Sequence, residues 1–389
     1  MNARMRMVAA GAACAVALGA LSACTTAPSG PPVVVLFPGT STDIWGTTAA
    51  VLRAELEDDG YAVDVRHAGD DIPAQLLQLR AAFEAAPTAI VIAPIEATAV
   101  AAELAKSDDP DVAVISYDRL ILDAPEVDYF ATFDHAASGR LHAEALLAAL
   151  DLDNRDPQLG PAQVELLAGS GDDPAAQAAF AGALEVLRPA LGARSIVVPS
   201  ERLGIDQTAV LRGAPSTAAD RVVTLLDEGH SLDGVLSPDD AMSAAIAEVL
   251  VESGCEIVRA PDPAAETPAP EPLPTEDAAA APETDPPPVD GQPEPADEPA
   301  DPPCRVALTG GGTSRDGARA MLAGVQSAAV YEDPRELARI VAAMVSEVVR
   351  GIEPAVTLGA VTDNGAREVP TLLLEPVLLD RASARLLVE

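Results

Sequence analysis

The chain has 389 residues, of which 24 are Lys or Arg and 61 are Asp or Glu, for a formal net charge of −37. Apolar residues make up 49%, so a sizeable core can form, global disorder is excluded, and the length admits two or three domains. The charge repels phosphate backbones and anionic lipid heads, which argues against nucleic-acid binding and polybasic membrane attachment. Lys106 is the single lysine and no GK[ST] string occurs, so a Walker A loop is excluded too.

In chain order, Arg4 and Arg6 precede an apolar stretch from Met7 to Leu21, which is short for a bilayer span. Residues 1–23 therefore read as a signal peptide. The string Leu21-Ser22-Ala23-Cys24 resembles the lipobox of bacterial lipoproteins. That resemblance implies that Cys24 is acylated and that the protein is lipid-anchored on the extracytoplasmic face of the cell membrane. A plain secretory signal with a chance cysteine is the alternative. Residues 24–32 are polar and read as a tether.

Short β-rich runs follow at Val33–Phe37, Ala62–Val65, Ala89–Ile92 and Val112–Ile115. Segments of helical periodicity follow them, such as Thr47–Glu57, Pro73–Ala85 and Ala97–Lys106. A second series places strands at Val164–Leu167, Ile196–Val198, Gly234–Leu236 and Arg305–Leu308, with helices at Ala175–Leu187, Ala218–Glu228, Asp240–Glu252 and Ser314–Val325. Continuous apolar strands with helical crossovers predict parallel sheets covered on both faces. The break near Phe130–Asp134 divides them into two similar α/β lobes, with a ligand expected in the cleft beyond the carboxyl ends of the strands.

Residues 260–303 interrupt the second series. They contain Pro286-Pro287-Pro288, twelve acidic residues and no basic ones, so they are expected to form a disordered acidic Pro/Ala-rich insert. Cys14 leaves with the signal and Cys24 takes the lipid, which leaves Cys255 and Cys304 flanking the insert. Two leftover thiols in an exported protein read as a disulfide.

Several strings resemble one family. Ser116-Tyr117-Asp118-Arg119 closes the fourth predicted strand, and Asp128-Tyr129-Phe130-Ala131-Thr132-Phe133-Asp134 follows it. Further matches are Gly69-Asp70-Asp71-Ile72-Pro73, Leu236-Ser237-Pro238-Asp239-Asp240, Asp333-Pro334-Arg335-Glu336-Leu337 and Val369-Pro370-Thr371-Leu372. They resemble the sugar-binding proteins of ABC importers, in the xylose and multiple-monosaccharide branch. The resemblance covers roughly residues 31–254 and 305–380 and implies a periplasmic-binding-protein type I fold, two α/β lobes joined by a multi-strand hinge. By similarity, lobe 1 holds residues 31–132 and about 331–352, while lobe 2 holds 133–330 and about 353–389. The function implied is capture of a monosaccharide by a monomeric lipoprotein and delivery to ABC permease subunits, with no cofactor. A degenerate homologue acting as a sensor or scaffold is the alternative.

A pyranose has apolar faces and a rim of hydroxyls, so its sites combine an aromatic platform with planar polar side chains. The resemblance places Trp45, Asp118, Arg119, Arg212 and Asp240 at such positions. The plainer alternatives are a core tryptophan for Trp45, a lobe-internal ion pair for Asp118 and Arg119, and a helix N-cap for Asp240. The chain departs from the family pattern at Ile44, Pro174-Ala175, Gly213 and Gly310-Gly311-Gly312, none of which supplies a polar side chain or a stacking ring. Gly310–Gly312 reads as a turn. His135 and His142 lie seven apart, on one helical face, but no Cys or carboxylate pattern completes a zinc site, so they are expected to be solvated. Gly169-Ser170-Gly171 is not a nucleophile elbow, and no catalytic constellation is found. The reading is a binding protein, not an enzyme.

Overall fold

Val33-Val34-Val35-Leu36-Phe37 is buried along its whole length, which only a strand covered on both faces accommodates. In the computed structural model, which describes residues 30–107, 111–259 and 304–389, this run is β1 (Pro32–Phe37). It is followed by α1 (Ile44–Asp58), β2 (Ala62–His67), α2 (Ile72–Glu84), β3 (Ala89–Ile92), α3 (Ala97–Leu104), β4 (Ala113–Tyr117) and β5 (Tyr129–Phe133). Val33, Val35 and Phe37 pack under α1, while Val34 and Leu36 face α2 and α3.

The chain then builds a second lobe from α4 (His135–Leu150), β6 (Ala162–Leu166), α5 (Pro174–Gly192), β7 (Ile196–Val197), α6 (Ile205–Thr208) and α7 (Pro215–Asp227). It continues with β8 (Gly234–Leu236), α8 (Asp240–Glu252), β9 (Glu256–Ile257), β10 (Arg305–Gly312), α9 (Asp316–Ala323) and β11 (Ala328–Tyr331). Next, α10 (Pro334–Val349) returns to the first lobe, where Leu337, Val341 and Val345 share the core with Leu52 and Leu56 of α1. After it come β12 (Val361–Asp363), β13 (Glu368–Leu374), β14 (Val377–Leu379) and α11 (Arg381–Val388).

The first sheet runs β12-β13-β5-β4-β3-β1-β2, and the second runs β14-β11-β10-β8-β6-β7 with β9 beside β10. Pairing is parallel except at the ends, where β12 meets β13 and β14 meets β11 antiparallel. The two-lobed α/β architecture with parallel sheets is the one expected. The chain passes between the lobes three times, after β5, after β11 and after β13.

Two expectations are corrected here. Residues 353–389 do not all belong to lobe 2: β12 and β13 extend the lobe 1 sheet, with Thr371 to Leu374 in parallel register against Phe130 to Phe133. Only β14 and α11 lie with lobe 2, because the last crossover falls after Leu374. Nor is Gly310–Gly312 a turn: it is the end of β10, paired in parallel with Ala329–Tyr331 of β11. Side chains there would collide with Gln326, the Val330 carbonyl and His142, which is why a strand interior tolerates glycine at this place.

Cys255 and Cys304 are disulfide-bonded at a sequence separation of 49, where β9 and β10 run side by side. The signal peptide, Cys24, most of the tether and the acidic insert lie outside the described residues.

Candidate functional site

The first sheet presents its carboxyl edge through two loops. After β1, Asp43 caps α1: its Oδ1 accepts from Trp45 N at 2.8 Å and its Oδ2 from Thr40 N at 2.7 Å. The cap sets Trp45 in the first helical turn, half-buried, with its ring 5.2 Å from Phe37 and edge-on to Tyr117 at 6.4 Å. After β4, the Ser116 hydroxyl donates to the Arg119 carbonyl at 2.6 Å and accepts from Ile121 N at 3.0 Å, which fixes a tight turn. Asp118 sits in that turn at φ 62°, a left-handed conformation that Asp tolerates better than most residues. Arg119 is exposed, and its guanidinium carbon lies 5.6 Å from the centroid of Trp45, within cation–π range. Trp45 and Arg119 thus form one patch, with Asp118 beside it.

The second lobe contributes a cavity of about 290 Å³. Its rim carries Asp173, the N-cap of α5; Asp239, the N-cap of α8; and Arg212. Arg212 has φ 56° and its backbone N donates to Ser170 Oγ at 2.8 Å. A residue held in the left-handed region at a cavity mouth is a local strain of the kind that binding sites retain. On the hinge side the cavity meets His135, Ser138 and Glu332. Ser138 donates to Glu332 Oε1 at 2.5 Å, and His135 Nδ1 contacts the same oxygen at 3.2 Å. The other His135 nitrogen meets the Thr132 hydroxyl at 3.3 Å, and that hydroxyl donates to the Asp118 carbonyl at 3.1 Å. A polar chain therefore runs from the lobe 1 turn through β5 to the crossover after β11.

Electrostatics link the same groups. Burial pushes the Asp118 carboxyl above its ordinary range; His135 and Arg119 pull against that shift, while Glu332 and Asp173 add to it. Burial works to lower the His135 pKa, yet the hydrogen bond and charge of Glu332, with Asp118 and Asp173, carry it above its usual value. Glu332 goes the other way: burial alone would raise it, and His135 and Ser138 bring it below the usual carboxylate range.

Of the five residues expected from the sequence, Trp45, Asp118 and Arg119 stand together on lobe 1 and Arg212 lines the cavity of lobe 2. Asp240 differs. Its carboxylate accepts from Gly317 N at 3.0 Å and from Gln326 Nε2 at 3.1 Å, inside the lobe, and burial pushes its pKa up to about 6. Neither is it the cap of α8, since Asp239 fills that position and lines the cavity instead. The two histidines are also corrected. His135 is bonded in the hinge, and His142 is 5% exposed, fully within the lobe. Their spacing of seven on one face was a visible signal; α4 turns that face inward against β10 and β11. Sequence reasoning missed Ser138 and Glu332, which carry no distinguishing pattern in the sequence. Among the described residues, no group of three or more His, Cys, Asp or Glu is placed to hold a metal ion, and no helix is long and apolar enough to cross a membrane.

Comparison with known proteins agrees with this geometry. The family profile described as periplasmic binding protein domain matches residues 33–259. The chain is 30% identical to the multiple sugar-binding periplasmic receptor ChvE of Rhizobium radiobacter, over 92% of this chain and 89% of that protein. It is 32% identical to the multiple sugar-binding periplasmic protein SbpA of Azospirillum brasilense, over 92% of this chain and 88% of the relative. Among solved structures, an ABC transporter solute binding protein from Clostridium phytofermentans with bound β-D-glucose superposes with a TM-score of 0.69 at 25% identity, covering 92% of this chain and 96% of that one.

Proposed function

The chain belongs to the periplasmic binding protein family, and from that premise we propose that it is an extracytoplasmic receptor of an ABC importer. It captures a monosaccharide between its lobes and presents the closed form to a permease, held at the membrane by a lipid on Cys24. The observation that carries this reading is a pair of unlike surfaces, one on each lobe, joined by the electrostatic interaction of Asp118 with Asp173. Trp45, backed by Phe37 and Tyr117, offers an aromatic ring with the Arg119 guanidinium over it. Lobe 2 carries Asp173, Asp239, Arg212 and Ser170 around a cavity. A pyranose needs both, a platform for its C–H face and planar acceptors and donors for its hydroxyl rim. The three crossovers supply the hinge on which such lobes close.

Ile44, Pro174, Ala175, Gly213 and Gly312 give the cleft no side-chain hydrogen bonds. A micromolar site has roughly 8 kcal/mol to draw on, and each missing hydrogen bond removes about 1 or more. Free glucose, galactose, xylose and arabinose are therefore expected to bind at about millimolar strength or weaker. Calorimetry with the chain freed of residues 1–24 tests the proposal. Saturable binding of a monosaccharide, weakened at least about tenfold in Trp45→Ala, supports it. Absence of saturable binding across a panel of monosaccharides refutes it.

A further inference from the structure

His135 stands where the chain passes between the lobes. It opens α4 directly after the first crossover, and its Nδ1 meets Glu332 of the second crossover at 3.2 Å. Its Nε2 meets the Thr132 hydroxyl of β5 at 3.3 Å, and that hydroxyl donates to the Asp118 carbonyl in lobe 1. The preceding residue reaches the third crossover, where Asp134 N donates to the Leu374 carbonyl at 2.9 Å. One half-buried imidazole therefore bridges the first two crossovers, and its neighbour is bonded to the third.

The charges around this imidazole come from both lobes. Asp118 lies on the lobe 1 turn after β4, Asp173 caps α5 in lobe 2, and Glu332 lies in the hinge. His135, Asp173 and Glu332 line one cavity, with Arg212 and Asp239 at its rim. Arg119 partly offsets the Asp118 carboxylate, and Asp134 faces Arg140 at 3.7 Å. His142, the other imidazole near Glu332, is neutral at pH 7 because burial pushes its pKa down to about 4. Two effects oppose a charge on His135, its burial and its place at the positive end of α4. Glu332, Asp118 and Asp173 overcome them and raise its pKa.

Two of those carboxylates, Asp118 and Asp173, belong to opposite lobes and repel each other. A charged His135 attracts Asp118 toward lobe 2 and offsets that repulsion, whereas a neutral ring leaves it uncompensated. We infer that His135 is a proton-dependent latch on lobe closure: charged, it holds the Asp118 turn of lobe 1 near the carboxylates of Asp173 and Glu332, and neutral, it lets them part. The inference rests on the receptor reading above, and His135 is a positioning residue that acts through Asp118. Parting the lobes takes Asp118 away from the imidazole, so the closed form binds the proton more tightly than the open one. By linkage, sugar binding is then strongest where His135 is charged and weakens as pH rises through its closed-state pKa.

The test is calorimetry of the full chain with D-glucose, which does not titrate in this range, between pH 5 and pH 9, repeated on His135→Gln and Glu332→Gln. The expected result is binding weakened about fivefold or more from pH 6 to pH 9 in the parent, with a flat profile in His135→Gln. Glu332→Gln should keep the decline and move it to lower pH. If His135→Gln does not fold, Glu332→Gln carries the test, and an unmoved decline overturns the inference. Parallel declines in the parent and His135→Gln overturn it and leave the receptor reading intact, because Asp118 then accounts for the titration. A flat profile in the parent overturns it as well. If no monosaccharide binds at any pH, the receptor reading falls, and small-angle scattering of the sugar-free chain decides the latch. A smaller radius of gyration at pH 6 than at pH 9 in the parent, absent in His135→Gln, supports it; equal values overturn it.

Discussion

The disulfide gives the sharpest quantitative prediction, because the stretch it encloses can be removed. Cys255 and Cys304 are bonded at a sequence separation of 49. In the chain-entropy treatment, closing a loop of that size in the unfolded state contributes about 4 kcal/mol to stability. Deleting residues 262–302 removes 41 residues and shortens the separation to about 8, for which the same treatment leaves about 2.5 kcal/mol. The bridge and the insert are therefore coupled by about 1.5 kcal/mol, the cost of closing the longer loop on folding. Four proteins make the cycle: the parent, the deletion, Cys255→Ser with Cys304→Ser, and the combination. Urea unfolding under oxidising conditions should find the deletion nearly neutral when the bridge is present, since Glu256 N to Cys304 O and the pairing of β9 with β10 are kept. Without the bridge, the deletion should stabilise by about 1.5 kcal/mol. Loss of stability on deletion in the oxidised protein would refute the reasoning, because it would mean that the insert contributes folding contacts of its own.

Three further outcomes are expected, two from contacts in the structure and one from the sequence. Asp240 has a folded pKa of about 6 against an ordinary 3.8, so its contribution to stability is full below pH 3.8 and lost as pH rises through 6, by about 3 kcal/mol. Asp240→Asn should flatten the urea-stability profile between pH 4 and 7, and parallel profiles would count against this. Glu332→Gln should lower the His135 pKa, read from the imidazole proton shifts by NMR, because burial then acts with less opposing charge; an unchanged titration would contradict the hinge assignment. Cys24→Ala should move the protein from the membrane to the soluble fraction, given that two acyl chains suffice for stable attachment, and identical fractionation of parent and variant would refute the anchor.

The sequence alone determined the fold class, and the reason is local. Val33–Phe37, Ala89–Ile92 and Gly234–Leu236 are short apolar runs that must be covered on both faces, and the helices between them follow from periodicity. The end of the fourth strand at Ser116-Tyr117-Asp118-Arg119 was legible as well, and the structure closes a turn there through the Ser116 hydroxyl. Tertiary structure decided the rest. Val369–Leu374 is an apolar run whose sequence cannot say which sheet it joins; pairing with Phe130–Phe133 across more than 200 residues settles it. Asp239 and Asp240 are neighbours with the same side chain, and only the approach of Gly317 and Gln326 turns one into the lobe while the other faces the cavity. His142 reads as a surface histidine until α5 and β10 close over it. In each case the deciding contact comes from a distant segment, and periodicity carries no information about which segment that will be.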